Sequence, residues 1–244
     1  QIEKRNLYIT PYEPKKIEFF IVTHAHIDHS GLLPRMVQNG FQGSIYATEP
    51  TGALLNILLL DSAHIQEVEA AGRNKRLQRS GMKSDAVPLY TTKDAEAVMP
   101  RVKTRKYDEM FSPAPGISMR FQDAGHILGA AIVELFIEEK GETVKLVFSG
   151  DIGRPNQLLM KDPSSMHQAD FLFMESTYGN RNHKGEQESL EELAEAVRYS
   201  YNNGEKVIIP AFAVERTQEI LYSLHLLMRE GKLPKDMPVY LDSP

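Results

Sequence analysis

Three imidazoles and a carboxylate fall within six positions at His24, His26, Asp28 and His29, straight after the apolar run at residues 17–22. Imidazole nitrogen and carboxylate oxygen are donors that zinc takes at about 2.0–2.2 Å, and manganese or iron accept the same set. In an extended chain alternate side chains share a face, so His24 and His26 point the same way and converge on one ion. Beyond Ile27 the chain has to turn, because residues 30–37 read as a helix that stops at Asn39-Gly40. That turn swings Asp28 and His29 toward a neighbouring point, which suits a second ion.

Two later loops carry the same donor types. A strand-like run at residues 117–121 delivers Asp123-Ala124-Gly125-His126-Ile127-Leu128-Gly129, whose glycines let the backbone turn tightly before the apolar run at 131–137. After a hairpin at residues 139–142 the returning run ends in Ser149-Gly150-Asp151. Either residue alone is a weak signal, since Gly-His and Gly-Asp turns are common. Residues 170–174 read as a further buried strand, closing on Glu175-Ser176-Thr177-Tyr178-Gly179.

The remaining elements must hold these loops in place. Residues 44–48 form a short strand, and Glu49-Pro50 opens a long helix on which Leu54, Ile57, Leu58, Asp61, Ile65 and Val68 recur at spacings of three and four. Its basic end, Arg73, Lys75, Arg76 and Arg79, marks a solvated tail, and His64 is a surface or packing residue. Thr92 caps a short helix. Residues 102–107 alternate like an edge strand, with Lys103, Arg105 and Lys106 either touching phosphate or blunting the edge. Toward the end, helices at 186–201 and 214–229 flank a strand at 207–210, an alternation that predicts a parallel-sheet unit.

The chain has 244 residues, 41% of them hydrophobic, enough for a sizeable core and near the size at which a second domain begins. A formal net charge of −5 argues against nucleic-acid binding by overall charge and leaves a local basic groove open. With no cysteine there is neither a disulfide framework nor a thiolate ligand. The longest apolar run, residues 53–60, is broken by Asn56 and too short to span a bilayer, and no signal-peptide core is present. A soluble protein without a membrane partner is expected, cytoplasmic or, in a eukaryote, nuclear. Starting at Gln1 and stopping after a strand-like run, the chain reads as cut at both ends.

His24-x-His26-x-Asp28-His29 resembles the signature of the metallo-β-lactamase superfamily, whose αββα sandwich binds two metals between its sheets. Glu175-Ser176-Thr177-Tyr178-Gly179 resembles a motif of the β-CASP branch, the nucleic-acid processing enzymes of the superfamily, and residues 210–221 and 239–244 are similar to its RNA-processing members, which include the cleavage-and-polyadenylation endonuclease and its prokaryotic relatives. The resemblance implies a metallo-β-lactamase domain over residues 1–178, lacking its first strands, and the start of a Rossmann-like β-CASP domain over 179–244. It implies that His24, His26 and His126 hold one Zn2+, that Asp28 and His29 hold a second, and that Asp151 bridges them, with Mn2+ or Fe as substitutes. A metal-bridging hydroxide would then hydrolyse single-stranded RNA, with Asp28 and Glu175 as the catalytic carboxylates. Glu175 would orient a downstream histidine, so this stretch alone is expected to bind the second zinc poorly and cleave feebly. Arg181, His183 and Lys184 form a basic loop that either meets phosphate or is simply solvated. Arg216 starts a helix and either meets phosphate or pairs with Glu215 or Glu219. A DNA nuclease or another hydrolase of the superfamily, and a non-catalytic scaffold in an RNA-processing complex, are the competing readings. A homodimer or such a complex is the expected assembly.

Overall fold

The computed structural model describes residues 13–83, 85–182 and 184–242. The chain divides into two compact units: one runs to Gly153 and resumes over Asp162–Glu175, and the other comprises Arg154–Lys161 and the residues from Ser176 onward.

Two sheets build the first unit. β1 (Phe19–Ile21), β2 (Ser44–Thr48) and β3 (Val102–Arg105) lie parallel in that order. In the second sheet β4 (Phe111–Ala114), β5 (Ile117–Asp123), β6 (Ala131–Glu139) and β7 (Glu142–Phe148) are antiparallel neighbours, and β8 (Phe171–Phe173) adds to β7 in parallel. The helices of this unit are α1 (Ile27–Ser30), α2 (Leu33–Gln38), α3 (Glu49–Arg79) and α4 (Thr92–Glu96).

Alternation along β2 assigns the faces. Ile45 and Ala47 join a buried core with Leu33 and Met36 of α2, Leu55 and Leu59 of α3, and Ala95 of α4. Tyr46 points the other way and, with Ile21, packs on Met119, Phe121, Ala131 and Val133 of the second sheet. Helices, first sheet and second sheet thus stack as three layers, consistent with an αββα sandwich. At about 1.5–3 kcal/mol for each fully buried large apolar side chain, this packing outweighs any surface ion pair.

Several expectations shift. Asp28 and His29 lie inside α1, so the predicted helix begins before Ser30 and breaks once before continuing as α2. On α3 the buried residues are Thr51, Gly52, Leu55, Leu59 and Ala63, whereas Ile57, Ile65 and Val68 face solvent. The reason is a close approach: a Cβ on Gly52 would meet Thr104 Cγ2 at 2.7 Å, so the small-residue side of the helix lies on β3. Thr91, not Thr92, caps α4, through a capping box with Asp94. Residues 171–173 form a strand but an exposed one, because β8 ends the sheet and pairs only with β7. β4 went unforeseen.

In the second unit α5 (Glu186–Asn202) packs on α6 (Arg216–Arg229) through Ala194, Val197, Leu224 and Leu227, joined by Leu233. The strand expected at 207–210 is not formed among the described residues, and neither is one at 239–241. Both segments line a cavity of about 660 Å³ with Val197 and Leu224, leaving Ile208 89% and Tyr240 88% exposed. An apolar, β-branched run becomes a strand only when a partner completes its ladder, and these runs have none here.

Candidate metal centre

The candidate ligands follow the carboxyl ends of β1, β5 and β7, Asp28 and His29 inside α1 and the others on loops, and backbone bonds tie those loops together. Ala131 N donates to Thr23 O at 2.8 Å, and Gly153 N donates to Ala124 O at 2.9 Å. Two glycines make the approach feasible. Gly150 has φ +56, and a Cβ there would lie 2.8 Å from Thr23 Cβ. Gly129 has φ +84, and a Cβ there would lie 2.5 Å from Thr51 N. Ser30 Oγ donates to Ala25 O and His26 O, both at 3.0 Å, which closes the first turn of the histidine loop.

His24, His26, His126 and Asp151 come together, with one donor atom from each within 4.8 Å of the others. His26 Nδ1 stands 3.2 Å from both His24 Nε2 and His126 Nε2. Asp151 divides its oxygens: Oδ2 lies 3.7 Å from His24 Nε2 and 3.6 Å from His126 Nε2, while Oδ1 lies 3.2 Å from His29 Nε2. Asp28 is more peripheral, its Oδ2 3.6 Å from His29 Nε2 and its side chain 77% exposed.

These spacings fit a divalent cation. A tetrahedral ion with nitrogens at about 2.0–2.1 Å sets adjacent donors about 3.3 Å apart, and the His24–His26–His126 spacings of 3.2 Å meet that requirement. The rings also carry the right charge. Burial, followed by His29, His126 and His26, pushes the His24 imidazole down to about 2. Burial also lowers His26, against the pull of Asp28 and Asp151, and lowers His126 with help from His26. Neutral imidazoles present the lone pair that a cation needs. Thr23 Oγ1, 3.2 Å from His24 Nδ1, gives the far ring nitrogen a partner.

Two threonine hydroxyls that the sequence does not single out, together with Glu175, hold the loops. Thr48 Oγ1 and Thr51 Oγ1 both donate to Gly129 O, at 2.6 and 2.8 Å, clasping the His126 loop to the start of α3. A cap followed by Pro50 announces Thr48 as a helix start, but nothing in the sequence points its hydroxyl at Gly129. Glu175 acts on the Asp151 loop: its Oε1 accepts Ile152 N at 2.6 Å, and its own N donates to Ser149 Oγ at 3.1 Å.

The expected substrate contacts are engaged otherwise. Arg181 lies over the Tyr178 ring at 4.4 Å, Lys184 pairs with Glu192, and Arg216 Nη1 binds Glu219 Oε2 at 2.6 Å. Arg216 thus makes the internal pair with Glu219. His183 lies outside the described residues.

Stacked helices and sheets with a histidine and carboxylate cluster at the strand ends define an α/β protein built around a metal-binding rim. The sequence pattern described as "Metallo-beta-lactamase superfamily" matches residues 1–200, and the chain belongs to that superfamily. It is 34% identical over 242 residues to "Ribonuclease TTHA0252" of Thermus thermophilus, covering 99% of this chain and 50% of that protein. It is 36% identical over 230 residues to "Transcription termination factor FttA" of Pyrococcus abyssi, covering 93% of this chain and 33% of that one. A "RNase J-like protein" of Methanocaldococcus jannaschii is 31% identical over 237 residues, covering 96% and 49%. The chain therefore spans half or less of the length of these relatives.

Proposed function

We propose that the protein is a zinc-dependent ribonuclease that hydrolyses phosphodiester bonds in single-stranded RNA. His24, His26, His126 and Asp151 would hold one ion, and Asp28, His29 and the second oxygen of Asp151 would hold another. The observation that carries this reading is the division of Asp151, with one oxygen turned to the three-histidine group and the other to His29. A single carboxylate between two cations offsets their mutual repulsion. Bound divalent ions would supply Lewis acidity toward phosphate oxygens and ease the loss of a proton from water.

The side chains supply placement and charge. The depressed imidazoles remain neutral and keep their nitrogens turned inward. Glu175 holds the Ile152 amide and with it the loop that bears Asp151. The names of two relatives, a ribonuclease and an RNase J-like protein, favour RNA as the substrate over DNA. Motif resemblance favours the β-CASP branch, with residues 1–178 as the metal-binding domain and 179–244 as the start of the second. No described helix is long and apolar enough to cross a membrane, and a cytoplasmic site of action is part of the same proposal. Assembly as a homodimer or within an RNA-processing complex belongs to the same reading.

The test compares cleavage of labelled RNA and of DNA of the same sequence by the parent protein and by His26→Ala, with metal content measured in both. The expected result is RNA cleavage by the parent, loss of bound metal in His26→Ala, and a fall in rate beyond the roughly 100-fold typical of outer-shell changes. Equal cleavage by the two proteins removes the catalytic reading.

A further inference from the structure

α3 runs well past the core. Its last buried residue is Ala63, yet the helix continues to Arg79. From Ser62 onward polar side chains tie the helix to the segment at 86–92. Ser62 Oγ meets Tyr90 Oη at 2.9 Å, Gln66 Oε1 accepts Leu89 N at 3.1 Å, and Asn74 bonds both groups of Ala86, at 2.8 and 3.0 Å. Glu67 adds bonds to the Thr92 amide and hydroxyl, at 3.3 and 2.7 Å. Residues 62 and 66 are four apart and share a face, and Asn74 lies about 120° further round the helix from Ser62. The returning segment at 86–92 lies along the helix and buttresses its far end.

The surface left over is basic. Arg73, Lys75, Arg76 and Arg79 are exposed, as is Lys83 just beyond the helix, and no aspartate or glutamate occurs from Ala70 to Lys83. No ion pair engages any of the five among the described residues. The helix dipole accounts for Arg76 and Arg79, which fall in the last turn, but its effect fades within that turn and does not account for Arg73, Lys75 or Lys83. Gathering five like charges on a buttressed arm of a chain with formal charge −5 costs repulsion that a polyanion would offset.

The arm is also placed at a defined remove from the metal rim. α3 begins where Thr48 and Thr51 clasp Gly129 beside His126. With a rise of 1.5 Å per residue, Arg73 stands about 33 Å along the axis from Thr51.

We propose that the far end of α3 is a docking arm for the phosphate backbone of single-stranded RNA, which engages long strands and leaves short oligonucleotides untouched. This rests on the ribonuclease reading above and adds to it a substrate class, set by length. The arm contributes to binding and takes no part in cleavage.

The experiment measures binding and cleavage separately for single-stranded RNAs of about 30 and about 3 nucleotides, above and below the roughly 4–16 nucleotides that a single-strand binding groove occupies. The parent is compared with Arg73→Gln/Arg76→Gln/Arg79→Gln, which keeps good helix formers in place, and with Lys75→Gln/Lys83→Gln as a second variant; circular dichroism verifies the helix in each. For long RNA the expected result is a higher Kd and KM, with the log–log salt slope reduced by about 2 in the triple variant, at roughly 0.7 for each phosphate no longer neutralised. For short RNA, kcat/KM stays unchanged. Unchanged affinity and slope on long RNA overturn the proposal, and so does an equal loss on both lengths. Unaltered RNA binding with lost attachment to anionic vesicles or to an acidic protein overturns it as well. A parent that binds long RNA through the arm but cleaves none refutes the ribonuclease reading and leaves the arm standing.

Discussion

Glu134 in the first unit and Glu219 in the second are both buried carboxylates set between two cations, yet they secure different things. Glu134 on β6 stands opposite Arg120 on β5 and takes Arg120 Nε and Lys145 Nζ at 2.5 Å each, with Gln122 Nε2 at 3.3 Å. Burial works against its charge, but the hydrogen bonds from Arg120 and Lys145 hold the carboxyl below its ordinary range. Lys145 also donates to His167 O at 2.9 Å, so one network joins three strands to the segment that leads into β8. Glu219 takes Arg154 at 3.3 Å and Arg216 at 2.6 Å in the first turn of α6. Beside it Glu215 sits at φ +73, its carboxyl pushed up by burial and then by Glu219. Between paired strands the ladder fixes where the partners stand, and the ion triad locks register. At a helix end only side chains fix them, and the same triad holds a start that is itself strained.

The largest break in that contrast comes from Glu134→Gln. Removing one member of a buried ion network costs about 3–5 kcal/mol, and faster hydrogen exchange in β5, β6 and β7 would register it. Glu219→Gln should cost about half as much or less, because its partner Arg216 is 57% exposed. Equal losses would erase the distinction. The pH dependence has a definite sign: with its folded pKa depressed, Glu134 contributes stability that is full above the ordinary carboxylate range and is lost as acid takes the pH down through the folded value. Glu134→Gln should flatten that part of the acid-unfolding curve.

A smaller effect is expected at the clasp between α3 and the His126 loop, where side chains rather than a ladder hold a loop of the first unit. Thr48→Val with Thr51→Val removes both side-chain donors to Gly129 O, at about 1–3 kcal/mol. Metal affinity in a chelator competition should fall about 10- to 100-fold, as for other outer-shell partners. Serine at both positions should restore it. Unaltered metal affinity in the valine pair would show that the loop needs no clasp.

The smallest change runs the other way. Glu215→Gly relieves a positive φ and removes a carboxyl that burial disfavours, so the thermal midpoint should rise by the equivalent of about 1 kcal/mol. A fall would show that the turn before α6 is not strained.

Much of the first unit was legible because its signals are local. The bounds of β2 follow from the alternation of residues 44–48, and the hairpin before β7 from Lys140-Gly141, both at positive φ. Three imidazoles at a strand end mark a cluster able to hold a metal, since spacing alone brings His24 and His26 to one face. β4 was missed because four residues containing Pro113 carry no periodicity. The buried face of α3 differs from the greasy stripe because Gly52, small rather than greasy, is what fits against β3. Residues 207–209 have every mark of a strand except a partner.

Residue type and spacing fixed which donors exist and which lie near one another along the chain, because both are properties of a few consecutive peptide units. Only the folded chain decided that His126, a hundred residues on, brings its nitrogen to 3.2 Å from His26, and that Asp151 turns one oxygen each way. Those placements depend on strand pairing, two glycines at positive φ and hydroxyls donated from another element. Such contacts join residues distant in sequence, and no local pattern encodes their distance.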